Sequence, residues 1–191
     1  MLVSGSLMEI AERSDEQLAA EAAREGSDGP AFSALVERYR QRVWRVCYRL
    51  LGNEQDAQDA AQEVFVRLFF QRGRFEGRSK FSTWVHGIAL RVCLTLRRGR
   101  GRRQRRELAA GDATWAERPN NHAPAPGLTL DLYQMLDTLD EEDRAMLILK
   151  YSEGYTFEEL GQLFDMTTSA CKMRVMRARE KLQERFPGGG Q

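Results

Sequence analysis

Residues 52–70 read GNEQDAQDAAQEVFVRLFF and show a regular helical period. Small and apolar side chains recur there at steps of three and four residues, the spacing of one helix face. These side chains are Ala57, Ala60, Ala61, Val64, Phe65, Leu68 and Phe69. Gly52 and Asn53 indicate the end of a preceding helix. The stretch therefore predicts an amphipathic helix, and the side opposite its apolar face is acidic.

The same period occurs on both sides of this stretch. Residues 32–50 and 81–96 each carry one apolar face, and neither shows the alternation of a strand. Beyond residue 127 the pattern predicts four more short helices, the third of which starts at a capping box formed by Thr156 and Glu159. The predicted fold class is all-α, with two small helical domains joined by a flexible linker.

Composition marks the linker. The segment 97–106 carries seven arginines and no acid, and the stretch GDATWAERPNNHAPAPG that follows shortly after has three prolines. We expect helical domains at 14–98 and 128–186 and a basic, then proline-rich, linker at 99–127. The remaining residues, 1–13 and 187–191, are predicted to be terminal tails.

Charge is strongly segregated in a chain whose net charge is only +1. Residues 128–165 sum to −8 and residues 166–191 to +4, which suggests an anionic partner contacted at particular places. Three separated cysteines and two histidines argue against disulfides and zinc. Because no secretion signal or long apolar run is visible, we expect a cytoplasmic protein without membrane insertion. We expect no metal and no cofactor either.

The segment TFEELGQLFDMTTSACKMRVMRAREKL, residues 156–182, has the form of a helix-turn-helix. If the side containing Cys171 and Val175 packs inward, helical geometry defines the outward face. That face comprises Ser169, Lys172, Met173, Met176 and Arg177. Such a face can enter a major groove, while Arg174 and Arg179 on the flanks are better placed for phosphates. A solvated basic helix in an ordinary bundle is the alternative at this point.

In combination, these segments resemble the extracytoplasmic-function (ECF) class of bacterial sigma factors, the promoter-recognition subunits of RNA polymerase. The matching stretches include AFSALVERYRQRVWRVCYRLLGN, DAQDAAQEVFVRLF, RFEGRSKFSTWVHGIAL and TLDEEDRAMLILKYSEGYTFEELGQLF, in the family's order. The resemblance implies a region 2 domain that docks on the clamp helices of the polymerase's largest subunit and captures the melted minus-ten element. It also implies a region 4 domain that reads the minus-thirty-five element and contacts the flap of the second-largest subunit.

The resemblance further implies a non-enzymatic protein whose partners are core RNA polymerase, promoter DNA and an anti-sigma factor. The candidate core-polymerase-binding residues are Asp56, Asp59, Gln62 and Glu63. For minus-ten DNA they are Arg74, Phe75, Lys80, Trp84 and Arg91. For minus-thirty-five DNA they are Thr168, Ser169, Lys172, Met173, Arg174, Met176 and Arg177. The candidate phosphate contacts are Arg97, Arg98, Arg100, Arg102 and Arg103.

Two departures from the family pattern concern promoter preference. Arg91 and Thr95 stand where the family usually has Asn and Asp. In the recognition helix, Cys171, Met173 and Met176 replace commoner small, polar or histidine residues. Neither promoter element can therefore be copied from a relative.

The main alternative is a stand-alone helix-turn-helix regulator that binds an operator as a dimer. An RNA-binding protein is a third class, although no RNP motif is present. A metal-dependent enzyme is a further class, since the acids of residues 56–63 share a helix face. No histidine, second carboxylate cluster or nucleophile–base pair accompanies these acids, which argues against catalysis. His86 and His122 are expected to face solvent or lie in the linker.

Overall fold

The computed structural model describes residues 12–25, 29–109 and 130–187. Within these ranges the chain forms eight helices and no strand, which confirms the all-α class. The N-terminal unit comprises α1 (Asp15–Ala22), α2 (Pro30–Leu51), α3 (Glu54–Gln71) and α4 (Phe81–Ala109). The C-terminal unit comprises α5 (Leu130–Leu136), α6 (Glu141–Tyr151), α7 (Phe157–Phe164) and α8 (Thr168–Arg185). The proline-rich part of the predicted linker, with His122, lies outside the described residues, as do most residues of the predicted tails.

Local signals set the helix ends in the N-terminal unit. Helix α2 begins with Pro30 at its first turn and ends at Gly52, whose φ of 82° is in the left-handed region that glycine tolerates. Asn53 then caps α3 by accepting a hydrogen bond from the backbone of Asp56. Helices α1, α3 and α4 all pack against α2, and the apolar face predicted for α3 is largely buried in this core.

Helix α4 is longer than its apolar period predicts. It continues through the arginine run to Ala109, whereas sequence alone assigned residues 99–109 to the linker. Arginine is a good helix former, and acids on other helices bind three of these arginines. Arg97 and Arg98 bind acids of the C-terminal unit, and Arg100 binds an acid of α3. This long helix therefore carries its positive charge as one ordered extension of the N-terminal unit.

The predicted helix-turn-helix is present in the C-terminal unit. Thr156 and Glu159 form the capping box of α7, and Thr167 caps α8. Asp165 closes the turn with a φ of 53°, a left-handed conformation that Asp adopts more readily than most residues. A Cβ on Gly161 would lie 2.7 Å from the Met166 carbonyl oxygen, so the close approach of the turn to α7 requires glycine.

The two units pack against each other through α2 and α4 on one side and α6 and α7 on the other. At the centre, Arg144 of α6 is only 1% exposed and donates a 2.6 Å hydrogen bond to the Leu50 carbonyl at the end of α2. Burial lowers the pKa of Arg144 from 12.5 to about 10, which leaves it charged at neutral pH. Its Nε lies 3.1 Å from a carboxylate oxygen of Asp137. Arg144 therefore links the C-terminal unit to the end of α2 through a hydrogen bond from a buried guanidinium.

Candidate nucleic-acid and polymerase-docking surfaces

The acidic side of α3 is open to solvent along most of its length. Asp59, Gln62 and Glu63 are exposed, as predicted for a face turned away from the core. Glu63 accepts a 2.7 Å hydrogen bond from Arg67 one turn later. Asp56 differs, because it is partly buried and bound by Arg100 of α4. The predicted docking residues therefore form a surface whose first acid is already engaged within the chain.

This surface continues into two exposed apolar residues that sequence reasoning missed. Val66 is 50% exposed and Phe70 is 77% exposed on α3. With Asp59 and Glu63 they repeat at steps of three and four residues, which places all four on one helix face. The signal was available, because neither residue belongs to the apolar face predicted from residues 57–69. We call Asp59, Gln62, Glu63, Val66 and Phe70 the α3 stripe.

The loop before α4 and the first turn of α4 together form a cluster of three aromatic rings. Phe75 meets Phe81 edge to face at 5.2 Å between ring centroids and lies 5.5 Å from Trp84. Phe81 is fully buried, whereas Phe75 and Trp84 are partly exposed. The structure thus brings both predicted base-stacking candidates to one place, where they share packing with the core.

Three predicted basic residues lie in the same loop and further along α4. Arg74, Lys80 and Arg91 are all exposed. Lys80 lies 3.8 Å from a carboxylate oxygen of Glu159 in the C-terminal unit, a long and solvated contact. These three positive charges remain available on the surface of the N-terminal unit.

The recognition helix α8 presents the outward face predicted for it. Six of the seven predicted residues are exposed: Thr168, Ser169, Lys172, Met173, Met176 and Arg177. Cys171, Val175 and Ala178 are buried on the opposite side. Burial of the Cys171 thiol raises its pKa. The basic helix is therefore packed by one side and leaves the other side open.

Arg174 is the one predicted minus-thirty-five residue that is not exposed, because it contacts α6 within the C-terminal unit. Its guanidinium donates to Asp143 at 2.6 Å and to Glu142 at 2.9 Å, both on α6. Partial burial alone would lower the pKa of Arg174, but these carboxylates outweigh it and raise the pKa. Arg174 thus fixes α8 against α6 in this arrangement.

Three arginines of the run, Arg97, Arg98 and Arg100, are bound by the chain's own acids. Arg97 binds Asp137 at 2.9 Å and also Glu141, and Arg98 binds Glu142 at 2.7 Å. Burial disfavours the charged form of Arg97, yet the two carboxylates raise its pKa overall. The remaining candidates, Arg102 and Arg103, have exposed side chains. Part of the predicted phosphate surface therefore faces the acidic start of α6.

His86 lies in the interface between the units, so the expectation that it faces solvent was wrong. The Tyr155 hydroxyl forms a hydrogen bond with its Nδ1, and its Nε2 is buried without a partner among the described residues. Burial, followed by the positive charges of Arg42 and Arg45, lowers the pKa of His86 from 6.5 to about 4, against a smaller opposite effect of Glu159. Sequence gave no sign of this, because the covering residue is 69 positions away.

Within the described ranges, no group of three or more His, Cys, Asp or Glu side chains is arranged to hold a metal ion. None of the helices described is both long and apolar enough to cross a membrane. The surfaces above are instead made of charged and aromatic side chains suited to macromolecular partners.

Two family profiles match the chain, one in each unit. The profile of sigma-70 region 2 matches residues 35–103, and that of sigma-70 region 4 matches residues 129–182. The chain is 35% identical to the ECF RNA polymerase sigma factor SigE of Mycolicibacterium smegmatis, covering 81% of this chain and 61% of SigE. It is 29% identical to the ECF RNA polymerase sigma factor SigW of Bacillus subtilis, covering 83% of this chain and 90% of SigW.

Solved structures show the same fold. A chain from the complex of CnrH with the cytosolic domain of CnrY aligns with a TM-score of 0.65 and 26% identity, over 93% of this chain and all of that chain. The sigma factor RpoE of Bartonella quintana, solved with the anti-sigma factor NepR, aligns with a TM-score of 0.61 and 24% identity, over 83% of this chain and 98% of that chain.

The chain therefore belongs to the sigma-70 family of RNA polymerase sigma factors. Within it, the relatives place the chain in the ECF class, whose members carry regions 2 and 4 and direct promoter-specific initiation without being enzymes.

Proposed function

We propose that this sigma factor docks on core RNA polymerase through the α3 stripe and binds promoter DNA through the basic surfaces of α4 and α8. The observation that carries the proposal is the separation of two oppositely charged surfaces on one chain. The α3 stripe is acidic and is a poor match for DNA phosphates. The outward side of α8 and the arginines of α4 are basic and suit them.

The α3 stripe has the chemistry of a protein interface. Its acids supply charge complementarity, and Phe70 supplies an exposed aromatic side chain of the kind that anchors interfaces. The partner proposed for it is the pair of clamp helices in the polymerase's largest subunit. For the C-terminal unit, the proposed polymerase contact is the flap of the second-largest subunit.

Two DNA contacts are proposed, one for each unit. Arg74, Phe75, Lys80, Trp84 and Arg91 form the proposed minus-ten surface, where an aromatic ring can stack a flipped base. The outward face of α8 forms the proposed minus-thirty-five surface, because an exposed helix in a helix-turn-helix reads the major groove. The arginines of α4 then add phosphate contacts without sequence choice.

The proposed setting is the cytoplasm, where the polymerase works. An anti-sigma factor is a further proposed partner. One solved neighbour, RpoE of Bartonella quintana, was determined in complex with such a factor.

In vitro transcription tests the proposal directly. The purified chain is mixed with bacterial core RNA polymerase and genomic fragments, and start sites are mapped. We expect discrete start sites only when both proteins are present, and no specific footprint by the chain alone. A palindromic footprint made by the chain without polymerase would support the stand-alone dimeric regulator instead.

A further inference from the structure

The outward face of α8 combines two half-exposed methionines with one arginine. Met173 is 51% exposed and Met176 is 49% exposed. They lie three residues apart, so they are neighbours on the same helix face. Neither belongs to the hydrophobic core or to the apolar residues packed against it. Their position on the proposed reading face therefore has no packing explanation within the described structure.

The cations that flank these methionines are directed to other helices. Lys172 Nζ lies 5.8 Å from the ring centre of Phe157 on α7. Arg179 Nη1 lies 3.4 Å from the Tyr151 hydroxyl on α6. Arg174 is held by the acids of α6. The middle of the outward face is thus left to the methionines and to Arg177, whose Nε has only a 3.4 Å contact with its own helix backbone.

Methionine has particular consequences in a major groove. Its side chain has no hydrogen-bond donor, so it cannot match the polar edges of bases as arginine or asparagine does. The main apolar feature of the major groove is the C5-methyl group of thymine. A flexible, polarizable thioether chain can adapt to such a methyl group and remove it from water.

The spacing of the two methionines suits neighbouring base pairs. Three residues of helix rise correspond to about 4.5 Å. One base-pair step along B-DNA is about 3.4 Å. A helix that tilts slightly in the groove therefore brings Met173 and Met176 over adjacent base pairs.

We propose that Met173 and Met176 read the C5-methyl groups of thymines in two neighbouring base pairs of the minus-thirty-five element. This inference rests on the proposed function, since it assigns a base class to the same α8 face. Arg177, beside them, supplies the hydrogen-bonding contact that methionine lacks. The element read by this chain is accordingly rich in thymine methyl groups opposite the centre of α8.

Uracil substitution tests the inference on the holoenzyme. The template is a promoter identified by start-site mapping, and each thymine of its minus-thirty-five element, on either strand, is replaced by uracil in turn. Uracil keeps every hydrogen-bonding group of thymine and lacks only the methyl group. We expect the dissociation constant to rise about fourfold at each of two neighbouring positions, as for the loss of one buried methyl-sized group.

Methionine variants link this effect to the two side chains. The Met173→Ala, Met176→Ala double variant should bind the thymine promoter more weakly and should no longer distinguish uracil from thymine. The matched Met173→Leu, Met176→Leu variant keeps apolar side chains and should retain most of the discrimination. Circular dichroism verifies folding, which these half-exposed positions tolerate.

Three results would overturn the inference while leaving the sigma function intact. One is specific initiation with no uracil effect, and another is an element without thymine in neighbouring pairs. The third is an unchanged uracil effect in the double alanine variant, which would assign the effect to other residues or to DNA shape. Absence of promoter-directed transcription with core polymerase would instead refute the proposed function, and this inference with it.

Discussion

Arg177 is the cation on the outward face of α8 that has the fewest competing contacts. Within the part of the chain that the structure describes, its side chain makes one hydrogen bond, a 3.4 Å contact to the Met173 carbonyl. We expect Arg177→Ala to weaken holoenzyme binding to the correct minus-thirty-five element by about 1–3 kcal/mol, the cost of losing a bidentate base contact. Competition binding against promoters mutated at single base pairs measures the effect.

The matched control for this variant is Arg179→Ala. Arg179 is also exposed on α8, but it lies against Tyr151, and its cation is 5.8 Å from the ring centre. Its loss should weaken all promoter sequences about equally. If Arg177→Ala also lowers affinity uniformly, Arg177 contacts phosphate and not a base.

His86 makes the folded protein sensitive to acid. It lies partly exposed at the interface, and burial of its ring lowers its pKa from 6.5 to about 4, so it is neutral near pH 7. Because this pKa is depressed, the unfolded chain binds the proton first as pH falls. Stability is therefore lost progressively from about pH 6.5 and most of the loss is complete near pH 4.

The size of this loss follows from the shift, and is roughly 3 kcal/mol at full effect. The free energy of unfolding of the wild type and of His86→Gln is measured with denaturant at several pH values. The difference between them isolates the contribution of His86 from that of the carboxylates, which titrate in both proteins. The difference between the two proteins should change across pH 6.5–4 and be constant above it. Parallel pH profiles would show that His86 does not titrate on unfolding.

At the scale of one element, α3 packs one side into the core and presents the other as the proposed docking surface. Reversing Asp59 and Glu63 to Lys should abolish association with core polymerase, because the repulsive charges face the partner. Helicity should be unchanged, since both residues are exposed. Co-purification with core polymerase, together with circular dichroism, measures both quantities.

A single reversal in α2 provides the comparison. Glu37 is an exposed acid outside the α3 stripe. Glu37→Lys should leave association intact, whereas Asp59→Lys or Glu63→Lys alone should weaken it. Phe70→Ala should weaken association as well, through loss of apolar contact area. Undiminished co-purification of the double reversal would exclude the stripe as the docking surface.

Helix ends were predictable because their causes are local. The capping box of Thr156 and Glu159 acts within three residues, and it is present as expected. The length of α4 was not predictable, because acids 40 or more positions away in the sequence bind Arg97 and Arg98. The apolar periodicity of the sequence predicts which face of each helix is buried. It does not predict which other helix packs against that face.

At the scale of the whole molecule, one acidic segment binds charges from both units. Glu142 contacts Arg98 of the N-terminal unit and Arg174 of α8. Asp137 and Glu141 together hold Arg97. In this arrangement the chain's carboxylates occupy positions where DNA phosphates are proposed to bind. DNA must therefore compete with the C-terminal unit for at least part of the arginine run.

Neutralising acids of this segment should make the arginines of α4 more available to DNA phosphates. The Asp137→Asn, Glu141→Gln variant removes both acids that hold Arg97, and it also removes the carboxylate beside buried Arg144. We expect tighter non-specific DNA binding by the free chain, and a salt slope steeper by about one for each arginine released. Fluorescence anisotropy with a random-sequence duplex at several salt concentrations measures both.

The matched control changes net charge equally without touching the interface. Glu37→Gln with Glu54→Gln neutralises two exposed acids of the N-terminal unit, so any general effect of charge on DNA affinity appears there too. The interface variant should exceed this control in affinity and in salt slope, because it frees an arginine held by two carboxylates, whereas the control loses only the exposed Arg40–Glu37 pair. Equal changes in the two variants would mean that Arg97 stays in place when its acids are lost, and that DNA does not compete for it.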